Sequence, residues 1–451
     1  MNVLIVPSNT DLNRGDQALV WESIRLVQDV FKEDVKISLI GSGDTPEEWY
    51  QQNNQTEKLG YQILKPVLKH PGRHTRKTEH DNVKYGLSTL LSWGACAIVD
   101  LFMSIWLLSS NGFLQSLGAF FLGENEKRTL KEYQEADAIF VKGGGFIHSY
   151  GPLTDIYLMY FLLFHINLGL AFKKPVLVFP NSFGPLKNRF ARRMAYHSLK
   201  RCTLVTSRES VSNDFLNAMG IESHLFPDLG FYLQPYKGDG VEEYLSNKGV
   251  DLSKKNVVMT ARPYRFGGSS NADNMYVKYI NSYVQLITHL LSKSYGVTLF
   301  AHTIGPSTHE DDRIAIRDIV ESLKIEDQNR IVIIDDNNLN CKDVENIYSY
   351  YDYLVGTRFH SVIFGLNVET PALAIAYGGN KGTGIMKEFD LSDYCIKIED
   401  IEGRKLIDAF ESMNRNRSSY ISKLREKRIA INENRSILIE KVRERLEWEY
   451  M

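Results

Sequence analysis

Only four cysteines occur in 451 residues (Cys96, Cys202, Cys341 and Cys395), and no two form a C-x-x-C pair. That spacing offers neither a zinc site nor a disulfide framework, and it suits a reducing compartment. A surplus of charge of one sign is also missing. The formal net charge is −2, so no basic excess is present to neutralise phosphates and no nucleic-acid partner is expected. The first strand-like run, Val3 to Val6, has no basic segment or cleavage site before it, so the chain reads as cytoplasmic without a secretory signal. Common chemical motifs are lacking too. There is no P-loop, no complete dinucleotide glycine set, no H-E-x-x-H and no G-x-S-x-G. Asp335-Asp336-Asn337 does not continue as a calcium loop. A nucleotide hydrolase, a dehydrogenase and a zinc protease are therefore poorly supported, and the residues call for no metal or cofactor.

What is present is an alternation of short apolar runs with helical patterns. The composition, 43% hydrophobic and 24% charged, is that of a globular protein. The chain is too long for one ordinary core. Strands are expected at Val3 to Val6, Val35 to Ile40, Ala138 to Lys142, Pro175 to Phe179, Leu204 to Thr206 and His224 to Phe226. Residues 47 to 85 read as polar and irregular. After a Gly-, Pro- and polar-rich stretch the pattern restarts, with strands at Val257 to Thr260, Val297 to Ala301, Ile331 to Ile334, Tyr353 to Val355 and Pro371 to Ala376. This is the pattern of doubly wound parallel sheets. We expect an α/β fold of two Rossmann-like domains, 1–235 and 236–400, facing across a crevice in the GT-B manner. A charged helical tail, 401–451, would brace them.

Residues 86–123 break this pattern. Between Lys84 and Glu124 the only formal charge is Asp100. Leu87 to Leu108 is long enough to span a bilayer as a helix, but Asp100 near its middle would cost roughly 3 kcal/mol on insertion. Two readings stand side by side: a helix pair packed in the soluble body, and a helical insert in shallow contact with the inner face of a membrane.

In open parallel sheets, ligands bind beyond the C-terminal ends of the strands. Tyr353-Leu-Val-Gly356 ends in a loop with Arg358 and His360, two apart, and the next strand leads into glycine-rich Tyr377-Gly-Gly-Asn-Lys381. Arginine supplies a fork of donors, lysine a point charge and histidine a proton carrier near neutral pH. Together they describe a pocket for a small, doubly charged anion with acid–base chemistry beside it. Other polar residues at expected strand ends are Asn13, Asp16, Gly144, Gly145, Ser182, Arg208 and Arg262. Asp16 also sits where a helix N-cap would be. His165, within an apolar helix from Leu153 to Phe172, reads as a satisfied interior histidine.

The order of Asn13-Arg-Gly-Asp-Gln-Ala18, Gly143-Gly-Gly-Phe146, Asn181-Ser-Phe-Gly-Pro185, Ser207-Arg-Glu-Ser210, Pro227-Asp228 and Gly356-Thr-Arg-Phe-His360 resembles the polysaccharide pyruvyl transferases over nearly the whole chain. The resemblance implies transfer of the pyruvyl group of phosphoenolpyruvate to two hydroxyls of a sugar, giving a pyruvate ketal. It implies that Arg358, His360 and Lys381 bind phosphoenolpyruvate, with Arg208 and Arg262 contributing. Phe359 stands where leucine is common. We expect His360 and Asp16 as the acid–base pair, and a sugar acceptor in a cell-surface polysaccharide or its polyprenyl-diphosphate-linked precursor. Two alternatives share the architecture: a glycosyltransferase with a nucleotide-sugar donor, and a non-catalytic membrane-associated scaffold.

Overall fold

The structure, a computed structural model, describes residues 1–7, 10–32, 35–73, 86–152, 154–236, 240–267, 269–378 and 381–450, with the backbone alone for Lys381 and 448–450. The chain divides into two compact units. The N-terminal unit comprises Met1–Asp11, Leu19–Leu229 and Glu433–Met451; the C-terminal unit comprises Leu12–Ala18 and Gly230–Asn432.

The N-terminal unit is built on a parallel sheet of β1 (Asn2–Val6), β2 (Lys36–Ile40), β3 (Gln62–Leu64), β4 (Ala138–Val141), β5 (Gly144–Ser149), β6 (Val176–Leu186), β7 (Leu204–Ser207) and β8 (His224–Leu225). Its order is β3-β2-β1-β4-β6-β7-β8, with β5 also paired to β6. Strands such as Ala-Ile-Phe-Val of β4 are buried along their whole length, as expected of a sheet covered on both faces. Helix Thr154–Ala171 is one cover. Its Met159, Leu163 and Phe164 join the core, and His165 there is buried with Nδ1 2.7 Å from the Tyr133 hydroxyl. Burial lowers the His165 pKa to about 4, so the ring is a neutral core residue, as the sequence suggests.

The C-terminal unit repeats the plan with β9 (Asn256–Thr260), β10 (Gly296–Phe300), β11 (Ile331–Ile334), β12 (Tyr353–Gly356), β13 (Ala372–Ala376) and β14 (Cys395–Lys397). All are parallel, in the order β11-β10-β9-β12-β13-β14. This is the Rossmann order, and it reverses direction between β9 and β12, which pair with Gly356 opposite Thr260. The final helix, Arg417–Tyr450, belongs to the C-terminal unit up to Asn432 and to the N-terminal unit from Glu433.

Several expectations differ from this. The stretch 47–85 holds helix Pro46–Glu57, capped by Thr45, and β3; residues 74–85 lie outside the described residues. Pro46 at the first turn and Thr45 before it are a readable helix start. The glycines at 144 and 145 open a strand that pairs with β6. β6 continues through Asn181 to Leu186, past the expected strand end at Phe179. Leu12–Ala18 is counted with the C-terminal unit, and the units divide at Leu229 and Gly230 in place of 235.

Candidate functional site

The C-terminal unit gathers its polar residues at the ends of β9, β10, β12 and β13, at the switch point where α/β sheets bind ligands. Arg262 follows β9, His302 follows β10, Arg358 follows β12 and Tyr377 follows β13. Arg358 is buried. Its Nε donates to Asp312 Oδ1 at 2.7 Å and one Nη donates to the Glu310 carbonyl at 2.6 Å. Its other Nη donates to no described residue. Burial opposes the guanidinium charge, but the Asp312 carboxylate more than offsets it and holds Arg358 above its ordinary pKa. Asp312 opens helix Asp312–Ser322 and also accepts from the Thr303 backbone N–H at 2.9 Å. Burial pushes its pKa up to about 6 against the pull of Arg358 and Arg262.

His302 is fully buried, and its Nδ1 lies 3.1 Å from the Tyr348 hydroxyl. Burial drives its pKa well below the usual value, and the charges of His360, Arg358 and Arg14 push it the same way. Two arginines and His360 thus close on one neutral ring. Beside them, His302 Nε2 and Thr303 Oγ1 are buried with no hydrogen-bond partner among the described residues. Arg262 adds a further charge. Its guanidinium carbon stands 4.3 Å from the centre of the Tyr377 ring and 5.7 Å from that of Tyr264, and it has no carboxylate partner among the described residues. A guanidinium held by aromatic faces keeps its donors for an anion.

Leu12–Ala18 completes this cluster. Asn13 forms a bridge with Thr303. Its Oδ1 accepts from the N–H groups of Gly15 and Asp16 at 3.1 and 3.3 Å, so Asn13 caps helix Arg14–Phe31, in place of the expected Asp16. Asp16 sits in the first turn, its Oδ2 accepting from Asn13 Nδ2 at 2.9 Å. Arg14 is buried, with donors on the carbonyls of Asp336 and Asn337 at 3.3 and 3.4 Å. Gly15 is where the two segments touch: a Cβ there would fall 2.3 Å from His360 Nδ1, closer than any real contact. His360 lies in the first turn of helix Phe359–Asn367.

The structure therefore brings Asn13, Asp16, Arg262, Arg358 and His360 into one unit. Lys381 opens helix Lys381–Glu388 there; its side chain lies outside the described residues. Gly144, Gly145, Ser182 and Arg208 belong to the N-terminal unit. Gly144 has φ +155°, a conformation that favours glycine. Arg208 is buried, pairing with Asp228 and donating from Nε to Ser182 Oγ at 2.7 Å; Ser182 in turn donates to Glu209 at 2.9 Å. Sequence reasoning missed Arg14, Gly15, His302, Thr303 and Asp312. Arg14 and Gly15 stood inside a quoted motif, and His302 followed an expected strand. Asp312 carried no signal beyond a place at a helix start.

Among the described residues no group of His, Cys, Asp and Glu could hold a metal ion. Two doubly wound parallel units make this a protein of the GT-B fold class. Solved structures agree on that fold. UDP-GlcNAc 2-epimerase from Neisseria meningitidis superposes with a TM-score of 0.55 at 12% identity, covering 98% of this chain and 99% of that one. HepE from Anabaena, solved with UDP and glucose, gives 0.55 at 9% identity over 98% and 99%. Within that class the chain belongs to the polysaccharide pyruvyl transferase family, which it matches over residues 13–379. It is 24% identical over 421 residues to the amylovoran biosynthesis protein AmsJ of Erwinia amylovora, covering 90% of both chains.

Proposed function

We propose that the chain transfers the pyruvyl group of phosphoenolpyruvate to two hydroxyls of one sugar in a cell-surface polysaccharide or its lipid-linked precursor. The observation that carries this reading is the convergence of Arg14, Arg358 and His360 around neutral His302, with Arg262 beside the same Asp312. Phosphoenolpyruvate carries a phosphate and a carboxylate, and several fixed cations suit it. Arg358, Arg262 and Lys381 are assigned to these anionic groups.

The chemistry balances without a further reagent. A proton added to the methylene carbon leaves a cationic centre at C2, which one sugar hydroxyl attacks. Loss of phosphate regenerates the cation, and the second hydroxyl closes the ketal. Of the two hydroxyl protons released, one replaces that given to the methyl group and one leaves on phosphate. We assign delivery of the carbon-bound proton to His360 and removal of a hydroxyl proton to Asp16. Arg208 and Ser182 support the backbone of the N-terminal unit's strand ends, where Gly144 and Gly145 also lie, as the acceptor side.

Ligand-induced thermal stabilisation tests the donor, since specific binding raises Tm by mass action. Phosphoenolpyruvate is expected to raise Tm while UDP and GDP do not, and Arg262→Ala is expected to remove the shift. A shift with a nucleotide alone would overturn the reading in favour of a glycosyltransferase.

A further inference from the structure

The N-terminal unit carries an apolar face that the transfer reaction does not use. Helix Leu87–Ile105 continues as a short 3-10 turn to Leu108 and is followed by helix Gly112–Phe120. Two helices among the described residues are long and apolar enough to cross a membrane, Leu87–Leu108 and Thr154–Ala171. They differ in surroundings: 56% of the Thr154–Ala171 window is buried, but only 11% of the other. Thr154–Ala171 is a core helix. Leu87–Leu108 lies on the surface.

Its one buried stripe is held along its length. Trp93 packs edge-on to His70 at 5.7 Å. Asp100 takes both guanidinium arms of Arg73 at 2.6 and 2.8 Å. The Ser104 hydroxyl meets that of Tyr160 at 2.6 Å, and Leu107 is fully buried in the core. A helix fastened from Trp93 to Leu107 cannot stand across a bilayer, so the spanning arrangement is excluded. The opposite side exposes Leu91 (65%), Ile98 (70%), Phe102 (62%) and Ile105, and the second helix adds Phe113 and Phe120. No charged side chain interrupts this face, and the only formally charged residue of the insert, Asp100, pairs with Arg73 on the body side. A soluble surface rarely leaves so continuous an apolar patch open to water.

A second observation says what covers it. Residues 187–201 contain Lys187, Arg189, Arg192, Arg193, Lys200 and Arg201 and no acidic residue. All six are exposed, and none has a carboxylate partner among the described residues. Arg189, Arg192 and Arg193 lie on helix Arg189–Leu199, which also exposes Phe190, and Lys187, Lys200 and Arg201 lie at its ends. This basic helix and the apolar insert are mounted on the same support. Tyr160 of Thr154–Ala171 holds Ser104, while Asn167 of the same helix accepts from Ser198 at 2.7 Å. An apolar face beside a cationic helix with one exposed aromatic is complementary to the boundary of an anionic bilayer, where acyl chains take the first and phosphate headgroups the second.

We propose that the chain docks peripherally on an anionic phospholipid membrane. The insert lies in the plane of the bilayer, and residues 187–201 contact the headgroups. The test is flotation of the full chain with vesicles of phosphatidylcholine alone and vesicles rich in phosphatidylglycerol, at low and high salt. The wild type should float with the anionic vesicles and less so at high salt. Ile98→Glu with Phe102→Glu should remove flotation, and Arg192→Glu with Arg193→Glu should reduce it by about tenfold or more. These positions are exposed, so circular dichroism and Tm should not change, which separates lost docking from lost folding. Three results would overturn the proposal: no flotation with anionic vesicles, flotation indifferent to the Ile98/Phe102 change, or a wild-type dimer by light scattering that this change splits. The last would show that a second copy covers the face.

Discussion

Two buried arginines, one in each unit, end parallel strands and pair with a buried aspartate. Arg208 follows β7 and meets Asp228, Ser182 and, at 3.8 Å, Glu209. Arg358 follows β12 and meets Asp312 and a backbone carbonyl. The first is set among acids; the second pairs with Asp312, on which Arg262 also acts, feels a weaker pull from Glu310, and acts with His360 and Arg14 on His302. In sequence both read as an arginine leaving a strand, and only the balance of charge around each separates them. A buried cation matched by carboxylates is costly to remove; one that further cations approach is suited to an anion.

This contrast can be broken by experiment. The largest effect is expected from His360→Ala, which should abolish pyruvyl transfer while Tm stays close to wild type; full activity would remove His360 from the chemistry. Next are the two arginines. Arg358→Ala should abolish phosphoenolpyruvate binding and also destabilise by about 3–5 kcal/mol, because it leaves Asp312 buried and unpaired. Arg208→Ala should cost a similar stability by denaturant titration but leave binding of phosphoenolpyruvate intact in the folded protein. Lost binding at full stability in Arg208→Ala would make the two sites alike. Gly15→Ala should be milder, pushing the His360 ring aside at a cost of about 1–3 kcal/mol and lowering kcat more than Tm.

The smallest effect is on pH dependence. His165 and His302 are buried neutral in the two units, both with lowered pKa values. The unfolded chain takes up protons near the ordinary value of about 6.5, so their contribution is complete above that pH and lost as pH falls below it. For His165 the loss continues down to about 4. Each should subtract about 1.4 kcal/mol per pH unit within its window. Asp312, raised to about 6, works in the opposite sense between 6 and its ordinary 3.8. A His165→Asn variant isolates one contribution: its stability should fall less steeply below pH 6.5 than that of the wild type. Equal slopes would show that His165 is protonated in the fold.

The sheets were largely legible because buried parallel strands appear as unbroken apolar runs, such as Ala-Ile-Phe-Val of β4. Helix Pro46–Glu57 was not, since it is short, polar and only partly buried. The pairing of Arg358 and His360 could be seen from their separation at a strand exit. Asp312 could not, because its link to Arg358 crosses 46 positions and rests on tertiary packing alone. Asp16 was mistaken for the cap because Asn13, three residues earlier, serves as well in sequence; the backbone N–H groups of Gly15 and Asp16 decide between them.

The fit of Gly15 against His360 has a consequence for how the protein can be divided. The anion cluster is written at two distant places in the gene, and the shorter is the seven codons of Leu12–Ala18. A hybrid joined at the visible boundary near residue 230 would inherit His360 and Arg358 from one parent and their neighbour loop from the other. Such hybrids should keep donor binding only when the parent that supplies residues 1–230 carries glycine at the position of Gly15, whatever the match between their sheets.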